Sequence, residues 1–379
     1  MNRQTLKLAL LAVLLGLAVG MLAPRLLKGE WRDLLTEKEP VIILPEGELV
    51  SDAFSVKLLQ TALQTPDYPV SFVCPAAMTE ALRNLDAMGQ VAVHEQLEAL
   101  ALAPANDRDV PCYFMAAIEE SLPLTDEKRA MLLLPFRRNY PEALSTFNTL
   151  FGFPAADSAN TSPDTRLFAA MRTVAECRFR QPFYAADSKT ADFDNADGGM
   201  PCVRFLRRSG QFRVAEAEDG SWKAVALMLS GTSPDAAFIA VLPQGKAREF
   251  ALQLTPAQMS TIRRALAEAV PQALTVEIPK LDIAVGIRNC APLIQALGVT
   301  APFDIRTADF SAVTTEKVAF NAVAESLLFV MPEEERRPAD IPRPDNGAAI
   351  FSLNRPFLWF AGDLTSTNPP VVLGIVENL

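Results

Sequence analysis

The hydrophobic pattern of this chain changes its period once, and that change limits the folds open to it. In the first hundred residues the apolar positions recur at helical spacing. They are Phe54, Leu58, Leu59 and Leu63 within Val50 to Gln64; Met78, Ala81, Leu82, Leu85 and Met88 behind Pro75; and Val93, Leu97 and Leu100. Pro75 suits a first helical turn and Gly89 suits the stop that follows Met88. Val70 to Val73 reads as a short strand between the first two helices. From Cys112 onward short apolar runs bounded by turn residues take over. Strands are expected at Leu167 to Arg178, Pro201 to Phe205, Ala224 to Leu229, Ala237 to Leu242, Leu274 to Ile283, Val318 to Met331, Ala349 to Leu353, Phe357 to Gly362 and Val371 to Val376. Helices interrupt them at Thr255 to Val270 and Ala291 to Leu297. A helical first third followed by many long strands gives an α+β protein with large sheets.

Composition narrows the chemistry. The 379 residues include 35 Lys or Arg, 45 Asp or Glu and one His, for a net charge of −10. Residues 1 to 29 hold Arg3, Lys7, Arg25 and Lys28 and no acid, which leaves 31 bases against 45 acids, or −14, on the rest. So acidic a body is a poor partner for nucleic acid or anionic lipid. One histidine rules out multi-His metal sites and HExxH metallopeptidases, and no metal or cofactor is expected. His94 falls with Glu98 on the side of its helix opposite Val93 and Leu97, which makes it a surface residue.

Leu8 to Ala23 is a run of sixteen uncharged, mostly apolar residues behind a short basic start and before Pro24 and Arg25. This is an export signal, either cleaved near the small residues Ala18 and Gly20 or kept as a short membrane anchor. Residues 1–30 are therefore assigned to export, and the body is placed in the periplasm, outside the cell or on the outer side of the cytoplasmic membrane. The five cysteines, Cys74, Cys112, Cys177, Cys202 and Cys290, are widely spaced and form no CxxC, so buried small apolar residues are expected for most of them. Asp192, Asp194 and Asp197 hint at a calcium loop, but Ala196 and Val203 stand where ligands belong, and a solvated turn is the better reading. Asn160-Thr161-Ser162 is a lone sequon. No glycine-rich phosphate loop, GxSxG elbow or SxxK motif is present, so an enzyme is not expected.

The second half carries seven segments in order: RFRQPF (178–183), MPCVRF (200–205), SWKAVALML (221–229), AFIAVLP (237–243), LTVEIPKLDI (274–283), LIQALGVTAPFDIRTADFSAV (293–313) and FSLNRPFLWF (351–360). This succession resembles the serpin family, and VSFVCPAAMTEALRNLDAMG (70–89) is similar to its early helix entry. The resemblance implies one serpin-like domain over 31–379, with helices packed on three β-sheets and an exposed reactive-centre loop at 332–350. It further implies an inhibitor that offers this loop to a serine peptidase, traps the acyl-enzyme as the loop inserts into the main sheet, and works as a monomer without cofactors.

Several residues depart from the family pattern. The loop hinge, usually small residues, reads Glu333, Glu334, Glu335, Arg336, Arg337 and Pro338. Charges there oppose burial and proline cannot donate to a ladder. With Pro332, Pro342 and Pro344 the loop is expected to be stiff and extended. Counting from the two ends brackets the scissile bond within Asp345, Asn346, Gly347, Ala348 and Ala349. Ala348–Ala349, cut by an elastase- or subtilisin-like enzyme rather than a trypsin-like one, is the expected site, because Pro344 follows Arg343. Phe179 replaces the usual tryptophan where the main sheet opens, and the stretch before Asp164 is short for the family. The hinge also leaves open a non-inhibitory serpin acting as a binding or structural envelope protein.

Overall fold

A computed structural model of the chain describes residues 50–66, 68, 72–100, 102, 112–125, 133–136, 165–231, 233–341, 343–344, 347–365 and 368–379. Helices α1 (Val50–Gln64), α2 (Pro75–Met88) and α3 (Val91–Glu98) come first, with the two-residue strand β1 (Phe72–Val73) before α2. Pro75 takes the first turn of α2, the predicted apolar stripe is buried, and the Gly89 N–H closes the helix on the carbonyls of Leu85 and Asp86. His94 is exposed beside Asp86 at 3.0 Å and Glu98 at 3.2 Å, as its helical phase requires.

The described strands form two sheets. One has the order β10-β11-β4-β2-β3, from β2 (Cys112–Glu119), β3 (Leu133–Phe136), β4 (Leu167–Glu176), β10 (Ile283–Asn289) and β11 (Phe320–Val330). Its central strands β4 and β11 pair in parallel, from Leu167 opposite Phe320 to Glu176 opposite Val330, while β2 and β10 flank them antiparallel. A segment turning back from the end of β11 would run antiparallel to both central strands. Placed between them, it would replace one parallel pairing with two antiparallel ones, which are slightly more stable per residue.

The other sheet has the order β1-β14-β13-β8-β7-β6-β9-β12, with β5 (Lys189–Asp192) also paired to β6. Its strands are β6 (Cys202–Glu216), β7 (Trp222–Met228), β8 (Ala236–Pro243), β9 (Gln272–Pro279), β12 (Ile350–Ser352), β13 (Phe357–Asp363) and β14 (Val372–Val376). The 15-residue β6 serves two ladders: Phe205 to Phe212 pairs with β9, and Arg213 to Glu216 pairs with β7. Two of the three expected sheets are thus continuous through one strand. Helices α4 (Ala247–Gln253), α5 (Pro256–Glu268) and α6 (Ala291–Ala296) complete the described helices, and α5 opens on a capping box between Thr255 and Gln258.

Alternation along β13 shows why its apolar run is continuous. Phe357, Trp359 and Ala361 enter one core cluster, while Leu358 and Phe360 enter the other, so both faces are covered. The first cluster gathers aromatic rings around Trp359, with Phe329 at 4.5 Å and Phe238 at 5.6 Å between centroids. The second packs the other face against the helices.

Differences from the expected elements have local causes. β6 runs to Glu216 instead of stopping at Phe205 because its arginines are accommodated on the strand: Arg207 meets Glu277 at 3.0 Å and Arg208 lies over the Tyr184 ring. The run from Leu274 to Ile283 divides after Pro279 into β9 and β10, in different sheets. β5 and the short α4 lacked a period long enough to read. The acidic stretch near Asp197 is a turn closed by its own backbone, Asn195 N–H to Gly199 O at 2.8 Å. Burial pushes the Cys177 and Cys290 thiols up, as expected of core cysteines, and Cys202 is exposed. The export segment, the short stretch before Asp164 and the Asn160 sequon lie outside the described residues.

Candidate functional site

The loop leaves β11 at Val330, and its first residues are held by partners from three other parts of the chain. Backbone bonds come first. The Met331 N–H donates to the Asp282 carboxylate at 3.0 Å, the Glu334 N–H to the Phe183 carbonyl at 2.8 Å, and the Ala185 N–H to the Glu334 carbonyl at 2.9 Å. Glu334 therefore makes a one-residue parallel bridge with Tyr184. This short ladder ties the hinge to the segment that follows the Pro182-Phe183 exit of β4.

Side chains strengthen the tie. The Glu333 carboxylate, with only 9% of its side chain exposed, accepts from Ser188 Oγ at 2.6 Å and from Arg204 Nη2 and Nε at 2.8 and 3.1 Å, and it pairs with Lys280 Nζ at 3.3 Å. Burial opposes its ionisation, but the bonds from Arg204, Ser188 and Lys280 outweigh burial and hold the carboxyl down at about 2. Arg337 then pairs with Asp187, which is itself nearly buried. Glu334, Glu335, Arg336 and Pro338 are exposed. The six expected hinge residues thus divide into an anchor, Glu333 and Arg337, and a solvated remainder.

Beyond Arg337 the chain turns, with the Ile341 N–H bonded to the Pro338 carbonyl at 3.2 Å. The expected extended loop therefore holds a turn from Pro338 to Ile341 at this point. The far end is fixed as well. The Ala349 carbonyl accepts from the Thr275 N–H at 2.8 Å, and Ile350, Phe351 and Ser352 continue as β12 in parallel beside Thr275, Val276 and Glu277 of β9. Glu277 is buried there between Lys189 at 2.7 Å and Arg207 at 3.0 Å. Of the expected scissile window, Gly347 and Ala349 are exposed and Ala348 is half-buried, while Asp345 and Asn346 lie outside the described residues, as does Pro342. Phe179 is buried at the exit of β4, packed edge-on against Phe183 with centroids 5.0 Å apart and bridged to Leu229.

The anchors of this site are ion pairs and ladder bonds, and among the described residues no cluster of three or more His, Cys, Asp or Glu side chains is placed to hold a metal ion. What the arrangement does is present a loop tethered at both ends, most of its described residues exposed, that departs from the end of β11. The profile described as "Serpin (serine protease inhibitor)" matches residues 156–379, more than half of the chain. The chain belongs to the serpin family. Its fold is that of solved serpins. Native protease nexin-1 with heparin superposes with a TM-score of 0.69 at 16% identity, over 87% of this chain and 100% of that one. The mouse protein-Z dependent protease inhibitor gives 0.72 at 16%, over 87% and 96%, and uncleaved ovalbumin gives 0.72 at 14%, over 88% and 100%. No curated protein matches the chain by sequence. The α+β class and the family resemblance both hold.

The sequence reading missed Asp187, Ser188, Arg204 and Lys280. Arg204 and Lys280 stood inside the recognised segments MPCVRF and LTVEIPKLDI, so the motif residues that were neither apolar nor proline were the available signal. Their shared partner Glu333 lies 129 residues from Arg204, beyond any local pattern.

Proposed function

We propose that this serpin works outside the cytoplasm as an inhibitor of a serine peptidase, occupying the enzyme's cleft with loop 332–350 and holding the loop out of its own sheet. The observation that carries this reading is the double tether. Arg337 on Asp187 and Ala349 on Thr275 fix both ends, and most of the described residues between them are exposed. A loop held in this way loses little freedom when an enzyme binds it, and preorganisation of that kind favours tight inhibitor complexes. Incubation with elastase-, subtilisin-, trypsin- and acid-specific serine peptidases should lower the activity of at least one of them without an SDS-stable adduct. Full activity of every enzyme, with the loop either untouched or cut at once, would end the proposal. The second reading, a non-inhibitory binding protein of the cell envelope, is favoured by the charges at Glu335 and Arg336, and that same outcome would support it.

Export rests on Leu8 to Ala23. Fusing residues 1–30 to a reporter that is active only after crossing the membrane should give activity, and a silent cytoplasmic fusion would contradict it. Attachment to the membrane is then decided by whether the exported protein sediments with membranes.

A further inference from the structure

We infer that Asp187 is a carboxylate shared between two arginines, Arg337 of the loop and Arg208 of β6, and that the hinge leaves its dock by partner exchange. As Arg337 withdraws, Arg208 takes its place. The inference goes beyond the peptidase reading and does not depend on it. It starts from two polar groups of opposite sign that the resting fold leaves unmatched. Asp187 Oδ1 accepts from Arg337 Nη1, but Asp187 Oδ2 is buried and accepts no hydrogen bond. Among the described residues it is the only carboxylate oxygen in that condition. Arg208 has Nε and Nη1 buried without an acceptor. A buried guanidinium edge without an anion and a buried carboxylate oxygen without a donor each cost free energy.

Tyr184 joins the two groups. The Arg208 guanidinium lies over its ring, 5.2 Å from the centroid. The Asp187 N–H closes a turn on its carbonyl at 2.9 Å, which keeps the two Cα atoms within about 7 Å. Tyr184 is buried, and its backbone forms the one-residue bridge with Glu334 of the hinge. The neighbouring cations are committed elsewhere, Arg204 and Lys280 to Glu333, and Lys189 and Arg207 to Glu277. Arg208 is thus the cation left for Asp187 once Arg337 departs. This sets what release of the hinge costs. Without a substitute, Asp187 would be stranded as a buried charge, and the whole ion pair would hold the hinge. With Arg208 at hand the released state keeps one charged pair, so the backbone bridge is the main loss. A partner that pulls on the loop then has to supply only that difference between the two states.

Hydrogen exchange on the full-length protein reads hinge release at the Glu334 and Ala185 amides, whose bonds form the bridge. Arg208→Met keeps an apolar side chain on the Tyr184 ring. It should slow exchange at both amides roughly 10-fold, the equivalent of one hydrogen bond to a charged group. Arg337→Gln should speed exchange only about 3-fold in the unaltered background and roughly 30-fold beside Arg208→Met, because the second background offers Asp187 no substitute. Asp187→Asn should abolish the effect of Arg208→Met. The urea midpoint of each variant shows whether it is folded, and Arg208→Gln answers the same question in place of a Met variant that does not fold. Unchanged or faster exchange without Arg208 overturns the inference. Strictly additive effects of the two arginine substitutions, or a slowing by Arg208→Met that persists beside Asp187→Asn, do the same.

Discussion

Nicking the loop of the unaltered protein should leave its melting temperature unchanged or lower it. The same cut in a variant carrying Gly-Thr-Glu-Ala-Ala-Ala at 334–339 should raise it by on the order of 10 °C. The argument is one of parity. An inserted strand buries alternate residues. One phase would bury Glu335 and Arg337, and the other would bury Glu334, Arg336, Pro338 and Asp340. Either phase puts charge on the core face, at a cost of several kcal/mol for each unpaired group, and the second adds a proline that cannot donate to the ladder. Insertion must also break the pair between Arg337 and Asp187. The Glu333 anchor is a different matter, since it sits at the end of β11 ahead of the inserting stretch and its pairs with Arg204 and Lys280 can survive. The variant clears the first phase, where 335, 337 and 339 become Thr, Ala and Ala, keeps Glu333, and leaves its Glu at 336 and Asp340 on the outward face of that phase. It can then collect the gain of two antiparallel pairings at the seam between β4 and β11. About 7 kcal/mol gives the stated shift at roughly 1.4 °C per kcal/mol, from about 2.1 cal/mol/K for each of some 350 residues. Scanning calorimetry of intact and nicked forms decides the matter. A rise of that size in the unaltered protein would mean the hinge charges find partners in the inserted state, and insertion trapping would replace simple occupation as the mechanism.

A second large effect is expected where β10 and β11 pair. Glu325 of β11 is 1% exposed and accepts from Arg288 Nε of β10 at 2.9 Å and from the Tyr68 hydroxyl. Arg288 also lies 3.9 Å over the Tyr68 ring, and it is the cross-strand partner of Glu325 in the ladder. Burial, with the neighbouring Glu325 charge, holds the Tyr68 hydroxyl well above its ordinary pKa, so it remains a donor. Glu325→Ala should destabilise the protein by about 3–5 kcal/mol, because it removes the buried carboxylate that balances the Arg288 charge. The double variant Glu325→Met with Arg288→Met should cost far less, since paired apolar replacements leave no orphaned charge. Urea midpoints for Glu325→Met, Arg288→Met and their combination give the coupling. Strictly additive losses would show that the pair is not a unit. The prediction bears on function because the loop departs from the end of β11, which β10 flanks.

Much of this protein was legible before its tertiary structure. The two hydrophobic periods set the α+β class, Pro75 and Gly89 marked the ends of one helix, and the order of strand segments carried the family resemblance and placed the loop between β11 and β12. These are local properties: a repeat of 3.6 or 2 reports which side of an element is buried, and proline or glycine reports where backbone geometry must change. What tertiary structure decided was the fate of the charges. By sequence alone Glu333 and Arg337 were two members of a charged, proline-bearing hinge. In the fold one is nearly buried among Ser188, Arg204 and Lys280, and the other is paired to Asp187. A charge has no period, and its energy depends on which partners arrive from far along the chain and on how much water they displace. The same reason hid the length of β6, whose arginines are tolerated because Glu277 and Tyr184 lie against them. Apolar pattern determined where the loop begins and ends, and long-range ion pairing together with ladder register determined where it is tied down.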